Sequence, residues 1–316
     1  MSVGSRLDVT VAIATIDRPA SLARCLDAIL GGHALPGEIV IVDQSAGQDT
    51  AALVGSRAAA SPVPLRFIRQ PRRGLAASRN LAVAHASGRV VAFTDDDCVP
   101  DPEWIARIAA AFDAPSPPHA VSGRILPLGP ERPGFYAVSS RPSTVRRTYR
   151  GRTLPWAVGS GGNTAVSREW LIRIGGFDEG LGASSPGQAA EDTDLLYRLL
   201  LGGATVQYEP SAAVFHERQD RARRLASRPA YGFGMGAFCA KWARRADAYA
   251  VWMLGCWLVE RLQALLASIV RLRRRRVREE LMMLHGAARG LAYGLSLVPV
   301  QQECPYDLSA GSSSSA

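Results

Sequence analysis

The sequence predicts an α/β fold with a mostly parallel central sheet flanked by helices, followed by a helical extension at the C-terminal end. Between Asp8 and Phe215, short β-branched and apolar runs alternate with segments of helical periodicity. The runs are almost continuously apolar, which is typical of parallel strands whose two faces are both covered. After His216, long apolar segments with basic flanks replace this alternation.

The predicted elements follow one another in a regular order, and turn residues mark their ends. Pro19 can open the first helix because a first-turn position needs no amide proton, and the Gly31-Gly32 pair ends it. Strands are expected at Asp8–Ala14, Glu38–Val42, Leu65–Ile68, Arg89–Thr94, Val121–Leu126, Thr205–Tyr208 and Ala213–Phe215. Helices are expected at Pro19–Leu30, Leu75–Ala86, Pro102–Phe112, Arg168–Ile174 and Glu191–Leu201.

Two segments interrupt this order. Residues Pro127–Pro155 are rich in Pro, Gly, Ser and Arg and show no clear period, which predicts a long loop over one edge of the sheet. Structure is expected to resume with Ala157–Val166, and Gly175–Ala189 is interpreted as a second, Gly-rich loop.

The C-terminal third differs in composition. Residues Arg218–Arg245 are basic and helical in pattern, and Ala248–Leu272 and Leu281–Val300 are apolar. The Ser-rich tail Ser309–Ala316 is expected to be disordered. We therefore predict three regions: a catalytic-type α/β domain at 1–217, a basic and apolar helical region at 218–300, and a disordered tail at 301–316.

Several function classes are disfavoured by composition and missing motifs. The five cysteines are far apart with no Cys-x-x-Cys pair, which favours a reducing compartment over a disulfide framework. The N-terminus lacks the pattern of a secretory signal. Residues Thr15–Pro19 follow the first strand without Gly-x-Gly-x-x-Gly, which argues against a dinucleotide cofactor, and no P-loop motif occurs.

The most informative local motif is the triplet Asp95-Asp96-Asp97 at the end of a buried strand. Adjacent carboxylates repel one another, and a divalent cation offsets that repulsion. Oxygen ligands suit Mg²⁺ or Mn²⁺, and ligands of open α/β sheets lie at the carboxyl ends of strands. The alternative is a solvated acidic turn, or a helix cap leading to Pro102.

Other candidate residues are ambiguous when taken singly. Asp43 follows a strand, where a lone Asp is commonly a turn residue. Glu191 and Asp192 begin a helix, where carboxylates commonly act as caps or dipole partners. A lone His216 after a strand is more often a packed or exposed residue than a ligand.

Taken together and in order, these segments resemble family-two glycosyltransferases with the GT-A fold over Asp8–Glu217. The matching segments are VAIATIDRP (Val11–Pro19), IVIVDQSAGQDT (Ile39–Thr50), RRGLAASRN (Arg72–Asn80), VVAFTDDDCVPDP (Val90–Pro102), GSGGNTAVSRE (Gly159–Glu169), GGFDE (Gly175–Glu179), EDTDLLYRLLLGG (Glu191–Gly203) and VFHER (Val214–Arg218). The segment Tyr231–Trp242 is similar to one in bacterial members that carry membrane-associating C-terminal helices.

The resemblance implies a role for each candidate residue. Asp192 would be the catalytic base, with Glu191 beside it. A nucleotide-binding set would line the donor pocket, contact the base or approach the ribose and diphosphate: Thr15, Arg18, Asp43, Arg79 and Asp95. Asp97 and His216 would bind a divalent metal, Mn²⁺ or Mg²⁺; Asp96 aligns with Asp-x-Asp as acceptably as Asp97, so both remain candidate metal ligands.

The implied function is an inverting, metal-dependent glycosyltransferase. It would move a sugar from a nucleotide-diphosphate sugar to a hydroxyl of a glycan or lipid-linked acceptor in cell-surface polysaccharide or glycolipid synthesis. The alternatives are a sugar-1-phosphate nucleotidyltransferase, which would need a Gly-rich phosphate loop that Ile13–Pro19 lacks, and a non-catalytic GT-A-like membrane scaffold.

Charge distribution predicts an anionic membrane surface as a further partner. Of the basic and acidic residues, 16 and 5 lie between Arg218 and Arg289, so this segment carries all of the chain's net charge of +9. Ala248–Leu272 could span a bilayer, but Glu260, Arg261 and Gln263 interrupt it. A peripheral location at the cytoplasmic face is therefore expected, with a packed soluble subdomain or a true span as alternatives. No nucleic-acid partner is expected, since aromatic residues do not interleave with the Arg run.

Overall fold

The structure, a computed structural model, describes residues 7–296 and contains a large mixed sheet with helices on both faces. The strands are β1 (Leu7–Thr15), β2 (Pro36–Asp43), β3 (Leu65–Arg69), β4 (Val90–Asp95), β5 (Cys98–Pro100), β6 (Ala120–Pro127), β7 (Phe135–Tyr136), β8 (Arg147–Tyr149), β9 (Asn163–Ser167), β10 (Val206–His216) and β11 (Gln219–Asp220). The helices are α1 (Pro19–Leu30), α2 (Asp49–Ala58), α3 (Leu75–His85), α4 (Trp104–Phe112), α5 (Pro155–Val158), α6 (Arg168–Arg173), α7 (Glu191–Leu201), α8 (Arg221–Ala243), α9 (Ala248–Val270) and α10 (Arg274–Ser296).

The main sheet has the order β3-β2-β1-β4-β9-β6-β10-β5, with β8 pairing on β10. Strands β3, β2, β1 and β4 are parallel, as are β6 and β10. Strand β9 runs antiparallel to both β4 and β6 and joins the two parallel halves. The prediction of a mostly parallel sheet flanked by helices is confirmed.

The two faces of the sheet are buried in two separate cores, which explains the continuously apolar strands. Along β4, Val90 and Ala92 face one core, which α1 and α4 cover. Val91 and Phe93 face the other, beneath α3 and α7. In a strand that is buried on both faces, apolar and polar residues do not alternate, because the polar residues would then lie in one of the two cores.

The structure differs from the sequence prediction in several elements, and β5 and β11 are among the strands that were not predicted. Helix α2 was not predicted because only Thr50 and Val54 of it are buried, so it lacks a strong apolar period. The two strands expected at 205–215 are one strand, β10, with a register shift between Glu209 and Ala213. The segment expected to be a long loop contains β7 and β8, which pair with β11 and β10.

The C-terminal helices share a core with the sheet domain. Tyr197 of α7 packs with Phe238, Met253 and Ala287 from the three long helices. Asp194, fully buried two residues after Asp192, accepts hydrogen bonds from Lys241 Nζ at 2.7 Å and Trp242 Nε1 at 2.9 Å. The helices after residue 217 thus pack against the sheet domain, and the boundary expected near residue 217 stays a prediction. The expected disordered tail at 301–316, and the end of the second apolar segment at 297–300, lie outside the described residues.

Helices α8 and α10 run parallel and approach closely through glycines spaced four residues apart. A Cβ atom at Gly232 or Gly236 would overlap backbone atoms of α10, and one at Gly286 or Gly290 would overlap backbone atoms of α8. Only glycine allows this separation, because any side chain would push the backbones apart.

Replacing Gly290 by alanine is expected to lower the free energy of unfolding by about 1–3 kcal/mol, because the new methyl group must displace the backbone of Phe233. Gly255 of α9 has open space around it and is a matched control. The Gly255→Ala change should raise stability by about 0.5–1 kcal/mol through helix propensity alone. Urea unfolding of both variants measures this; a gain in both would contradict the close approach.

Candidate active site

The acidic triplet lies where β4 ends, next to the end of β1. Asp96 turns into the protein: its Oδ2 accepts a hydrogen bond from Thr15 Oγ1 at 2.7 Å, and its Oδ1 lies 3.2 Å from Arg18 NH1. Burial, together with the neighbouring Asp97, raises the pKa of Asp96 to about 7, although Arg18 opposes this. Thr15, Arg18 and the triplet are thus one connected group.

Asp97 and His216 come together because of strand pairing. Strand β5 follows the triplet directly and pairs antiparallel with β10, which places His216 opposite Cys98. His216 Nε2 lies 3.5 Å from Asp97 Oδ1. Its Nδ1 lies 2.8 Å from the carbonyl oxygen of Glu217 and can donate to it, which would leave Nε2 with a free lone pair.

Four side chains form a candidate metal-binding group. One ligand atom each from Asp95, Asp97, Cys98 and His216 lies within 4.8 Å of the others. Burial raises the pKa of the Cys98 thiol well above its usual range, so that a thiolate is disfavoured there. The oxygen and imidazole donors that remain suit Mn²⁺ or Mg²⁺. Asp96 is not among these four side chains.

Arg79 links the triplet to the start of α7. Its guanidinium donates to Asp95 Oδ1 at 2.9 Å and to Glu191 Oε1 at 3.0 Å. The backbone of Gly161 lies directly against this guanidinium, and a Cβ atom at Gly162 would come within 2.9 Å of Asp95 Oδ2. Glycine is therefore needed at positions 161 and 162, because a larger residue would collide with Arg79 or Asp95.

Glu191 and Asp192 are adjacent in sequence but lie in different surroundings. Glu191 is buried against Arg79, and burial together with Asp192 raises its pKa to about 7. Asp192 is partly exposed; its Oδ2 accepts a hydrogen bond from the Gly161 amide at 2.7 Å, and its Oδ1 accepts one from the Thr193 amide. Of the two, Asp192 is the carboxylate more available to a bound molecule.

Two neighbouring cavities adjoin these residues. A smaller one of about 260 Å³ is lined by Thr15, Arg18, the triplet and His216. A wider cleft of about 890 Å³ is lined by Arg79, Asp95, Asp192 and His216 and extends to the C-terminal helices. The two cavities share Asp95 and His216 and therefore adjoin at these side chains.

Among the predicted site residues, Asp43 lines neither of these two cavities. It is fully buried at the end of β2, where Oδ1 accepts a hydrogen bond from the Ser45 amide at 2.9 Å. Its Oδ2 is buried without a hydrogen-bond partner. Its neighbour Gln44 lines the smaller cavity.

Sequence reasoning missed four arginines at these cavities. Arg223 of α8 reaches Asp97 Oδ2 at 3.3 Å, and Arg141, Arg147 and Arg228 line the wider cleft. For Arg223 and Arg228, the basic character of the segment after His216 was the available signal, but it was interpreted as a membrane-facing charge.

Comparison with known proteins identifies the family. Residues 10–175 match the sequence profile "Glycosyl transferase family 2". A pre-mycofactocin glycosyltransferase of Mycobacterium tuberculosis is 30% identical over 240 residues, which are 74% of this chain and 47% of that protein. The chain thus spans about half the length of this relative. The succinoglycan biosynthesis protein ExoM of Rhizobium meliloti is 26% identical over 67% of each chain.

Solved structures share the fold. The mannosyltransferase PcManGT from Pyrobaculum calidifontis, solved with GDP-Man and Mn²⁺, has a TM-score of 0.62 at 21% identity and covers 91% of this chain and 88% of its own. The TarS protein of S. aureus has a TM-score of 0.54 at 18% identity, over 73% of this chain and 39% of its own. The family profile covers more than half of the chain, and the chain therefore belongs to glycosyl transferase family 2.

Proposed function

We propose that this glycosyltransferase is inverting and metal-dependent, and that it moves a sugar from a nucleotide-diphosphate sugar to a hydroxyl of a glycan or lipid-linked acceptor in cell-surface polysaccharide or glycolipid synthesis. The observation that carries the proposal is the arrangement of carboxylates. Asp95, Asp97 and His216 converge on one point, while Asp192 faces the adjoining wide cleft.

Asp95, Asp97 and His216 would hold the divalent cation, with Mn²⁺ or Mg²⁺ as the candidates. Their oxygen and nitrogen donors fit such an ion, and its charge would add to that of Arg18 and Arg223 in offsetting the charge of Asp97. When bound, the cation would stabilise negative charge on the leaving diphosphate. Asp96 is a candidate metal ligand by sequence alone, because its side-chain oxygens contact Thr15 and Arg18.

The donor would lie in the smaller cavity. Thr15 and Arg18 line it, and Arg79 holds Asp95 in place from the side of the wide cleft. We assign the nucleotide base to the end of β2, where the unpartnered Oδ2 of Asp43 is an acceptor still to be satisfied. A small shift of the Asp43-Gln44 turn would expose this oxygen to the base.

Asp192 would act as the general base. The acceptor hydroxyl gives its proton to the Asp192 carboxylate while its oxygen attacks the anomeric carbon on the face opposite the diphosphate. The bond between the anomeric carbon and the diphosphate oxygen breaks in the same displacement, and the electron pair stays on the diphosphate. One displacement inverts the configuration. Arg79 and Arg18 supply fixed positive charge near the leaving group.

Release of nucleoside diphosphate from a panel of nucleotide sugars tests this function. With Mn²⁺ and an acceptor extract, one donor should give nucleoside diphosphate together with a glycosylated product. Release of inorganic pyrophosphate from a sugar 1-phosphate and a nucleoside triphosphate would instead support a nucleotidyltransferase.

We also propose that the enzyme attaches peripherally to the cytoplasmic face of the cell membrane through α9. This helix is the one segment within 7–296 that is long and apolar enough to cross a membrane, and 17% of its apolar window is buried. Its outward side carries exposed apolar side chains: Val251, Trp252, Val259, Leu262, Leu266, Ile269 and Val270. Arg261 points inward, 3.3 Å from Glu280 of α10, and so does not interrupt this apolar face. An exposed apolar stripe on a docked helix favours an in-plane location.

The arginines after α9 would contact anionic headgroups. Arg273, Arg274, Arg276 and Arg278 are exposed beside the apolar face, whereas Arg275 stacks on Tyr136 and bonds to Glu279. Replacing the four exposed arginines by glutamine should weaken binding to phosphatidylglycerol vesicles by up to about 4 kcal/mol, at about 1 kcal/mol each. Vesicle flotation measures it.

The matched control replaces Arg57 and Arg107, which are exposed elsewhere on the sheet domain, by glutamine. This variant should float like the wild type. Equal flotation of the fourfold variant and the wild type on anionic vesicles would contradict the headgroup contacts, and no flotation of either would contradict membrane attachment.

A further inference from the structure

The wide cleft beside Asp192 is lined by both polar and apolar side chains. Part of its wall is formed by Asp192, Ser160 and Gly161. The C-terminal helices form another part of the wall, with Met235 from α8, Trp257 from α9 and Met283 from α10. The cleft therefore connects the candidate base to the helices that carry the exposed apolar face.

Arg228 of α8 also lines this cleft, and its guanidinium lies 5.8 Å from the centre of the Tyr231 ring. Its Nε is buried without a hydrogen-bond partner, and its NH1 contacts Met283 Sδ at 3.8 Å. Within residues 7–296 no carboxylate oxygen lies within ion-pair distance of it, whereas its neighbours Arg223 and Arg224 are paired with Asp97 and Glu279. Burial, together with repulsion from Arg224, lowers the pKa of Arg228.

A second guanidinium in the same cleft belongs to Arg141, which donates to the backbone carbonyls of Trp156 and Ala157. Within the described chain no carboxylate lies at ion-pair distance from it, although Asp192 attracts it from further away. Its backbone is fixed by paired hydrogen bonds with Ile125 of β6. Half-buried cations without a carboxylate in direct contact are only partly compensated, and a bound anion adds to that compensation.

Resting on the transfer reaction proposed above, we propose that the acceptor is an anionic amphiphile, whose oxyanion group binds Arg228 while its hydrocarbon chain lies against Trp257 and Met283. A phosphate ester fits this position, because a guanidinium binds its oxygens through two parallel hydrogen bonds. The acceptor hydroxyl then lies toward Asp192, and Arg141 adds a second positive charge. The chain leaves the cleft on the side of α9, where the exposed apolar face lies at the membrane.

Binding of three probes to the full chain tests this assignment: farnesyl phosphate, farnesol and inorganic phosphate. In a polyoxyethylene detergent, isothermal titration calorimetry should show farnesyl phosphate binding at least about tenfold more tightly than farnesol, as expected for a charge-assisted hydrogen bond. Arg228→Gln should remove this difference, and Arg228→Lys should keep part of it. The exposed Arg221 on the same helix is the matched control, and Arg221→Gln should behave like the wild type.

Three results would overturn the assignment. These are equal affinity of the wild type for farnesyl phosphate and farnesol, an unchanged preference in Arg228→Gln, or inorganic phosphate binding as tightly as farnesyl phosphate. Nucleoside diphosphate affinity with Mn²⁺, measured on the same samples, separates this outcome from a failure of the proposed function. If the nucleotide binds and the phosphate preference is absent, only the acceptor assignment fails.

Discussion

Replacing Asp192 by asparagine is expected to lower turnover by about 10²–10⁴-fold, which is the usual contribution of a general base. Asparagine keeps the shape of the side chain and can still accept a hydrogen bond from the Gly161 amide, but it cannot take a proton from the acceptor hydroxyl. The KM for the donor should change little, because Asp192 faces the wide cleft and not the smaller cavity. Steady-state rates of nucleoside diphosphate release measure both quantities.

Glu191→Gln is the informative comparison for this prediction. Glu191 is buried against Arg79, so that its loss should disturb the position of Arg79 and raise the donor KM as well as lower turnover. Near-normal turnover of Asp192→Asn together with a large loss in Glu191→Gln would assign the base to Glu191 and contradict the role given to Asp192.

Replacing Asp97 by asparagine is expected to remove most of the Mn²⁺-dependent gain in nucleoside diphosphate affinity. The change takes away one ligand charge while keeping the side-chain shape, and it also removes the ion pairs of Asp97 with Arg18 and Arg223. His216→Ala should have a smaller effect in the same direction, since a neutral ligand contributes no charge. Losing a ligand typically costs 10-fold or more in metal affinity, and calorimetry of the nucleotide with and without Mn²⁺ resolves about that change.

Cys98→Ser is the control for the metal assignment. Cys98 lies within the same group of four side chains, but Mn²⁺ prefers oxygen ligands to a thiol, so that Mn²⁺-dependent affinity should be unchanged. If both Asp97→Asn and His216→Ala kept the Mn²⁺-dependent affinity for the nucleoside diphosphate, the metal assignment would be wrong.

The elements with strong apolar periods could be predicted from the sequence, and those defined by tertiary pairing could not. Helix α7 begins at Glu191 and ends at Leu201 in both the prediction and the structure, because seven of its residues are buried. Strands β7 and β8 are short and mostly exposed, so their pairing with β11 and β10 leaves no apolar signal. The antiparallel direction of β9 likewise depends on contacts distant in sequence.

The site residues that belong to a sequence motif could be predicted. The contacts of their side chains, which depend on tertiary packing, could not. The triplet was expected at a strand end, but only the side-chain directions separate Asp96, bound to Thr15, from Asp97, beside His216. That Arg228 forms no ion pair within the described residues could not be predicted. It depends on which of the many arginines of α8 meet Glu279 and Asp97, and this follows from the packing of α8 on α10.

The anomeric configuration of the first-formed product is the most direct test of the central claim, that a base in the wide cleft drives a single displacement at the donor sugar. NMR of the product, taken from an incubation of the wild-type enzyme with its nucleotide sugar, Mn²⁺ and acceptor, should show the configuration opposite to that of the donor. The Asp192→Asn variant should give the same anomer at a much lower rate. A product that retains the donor configuration would require a second displacement or a front-face reaction and would contradict the role of Asp192.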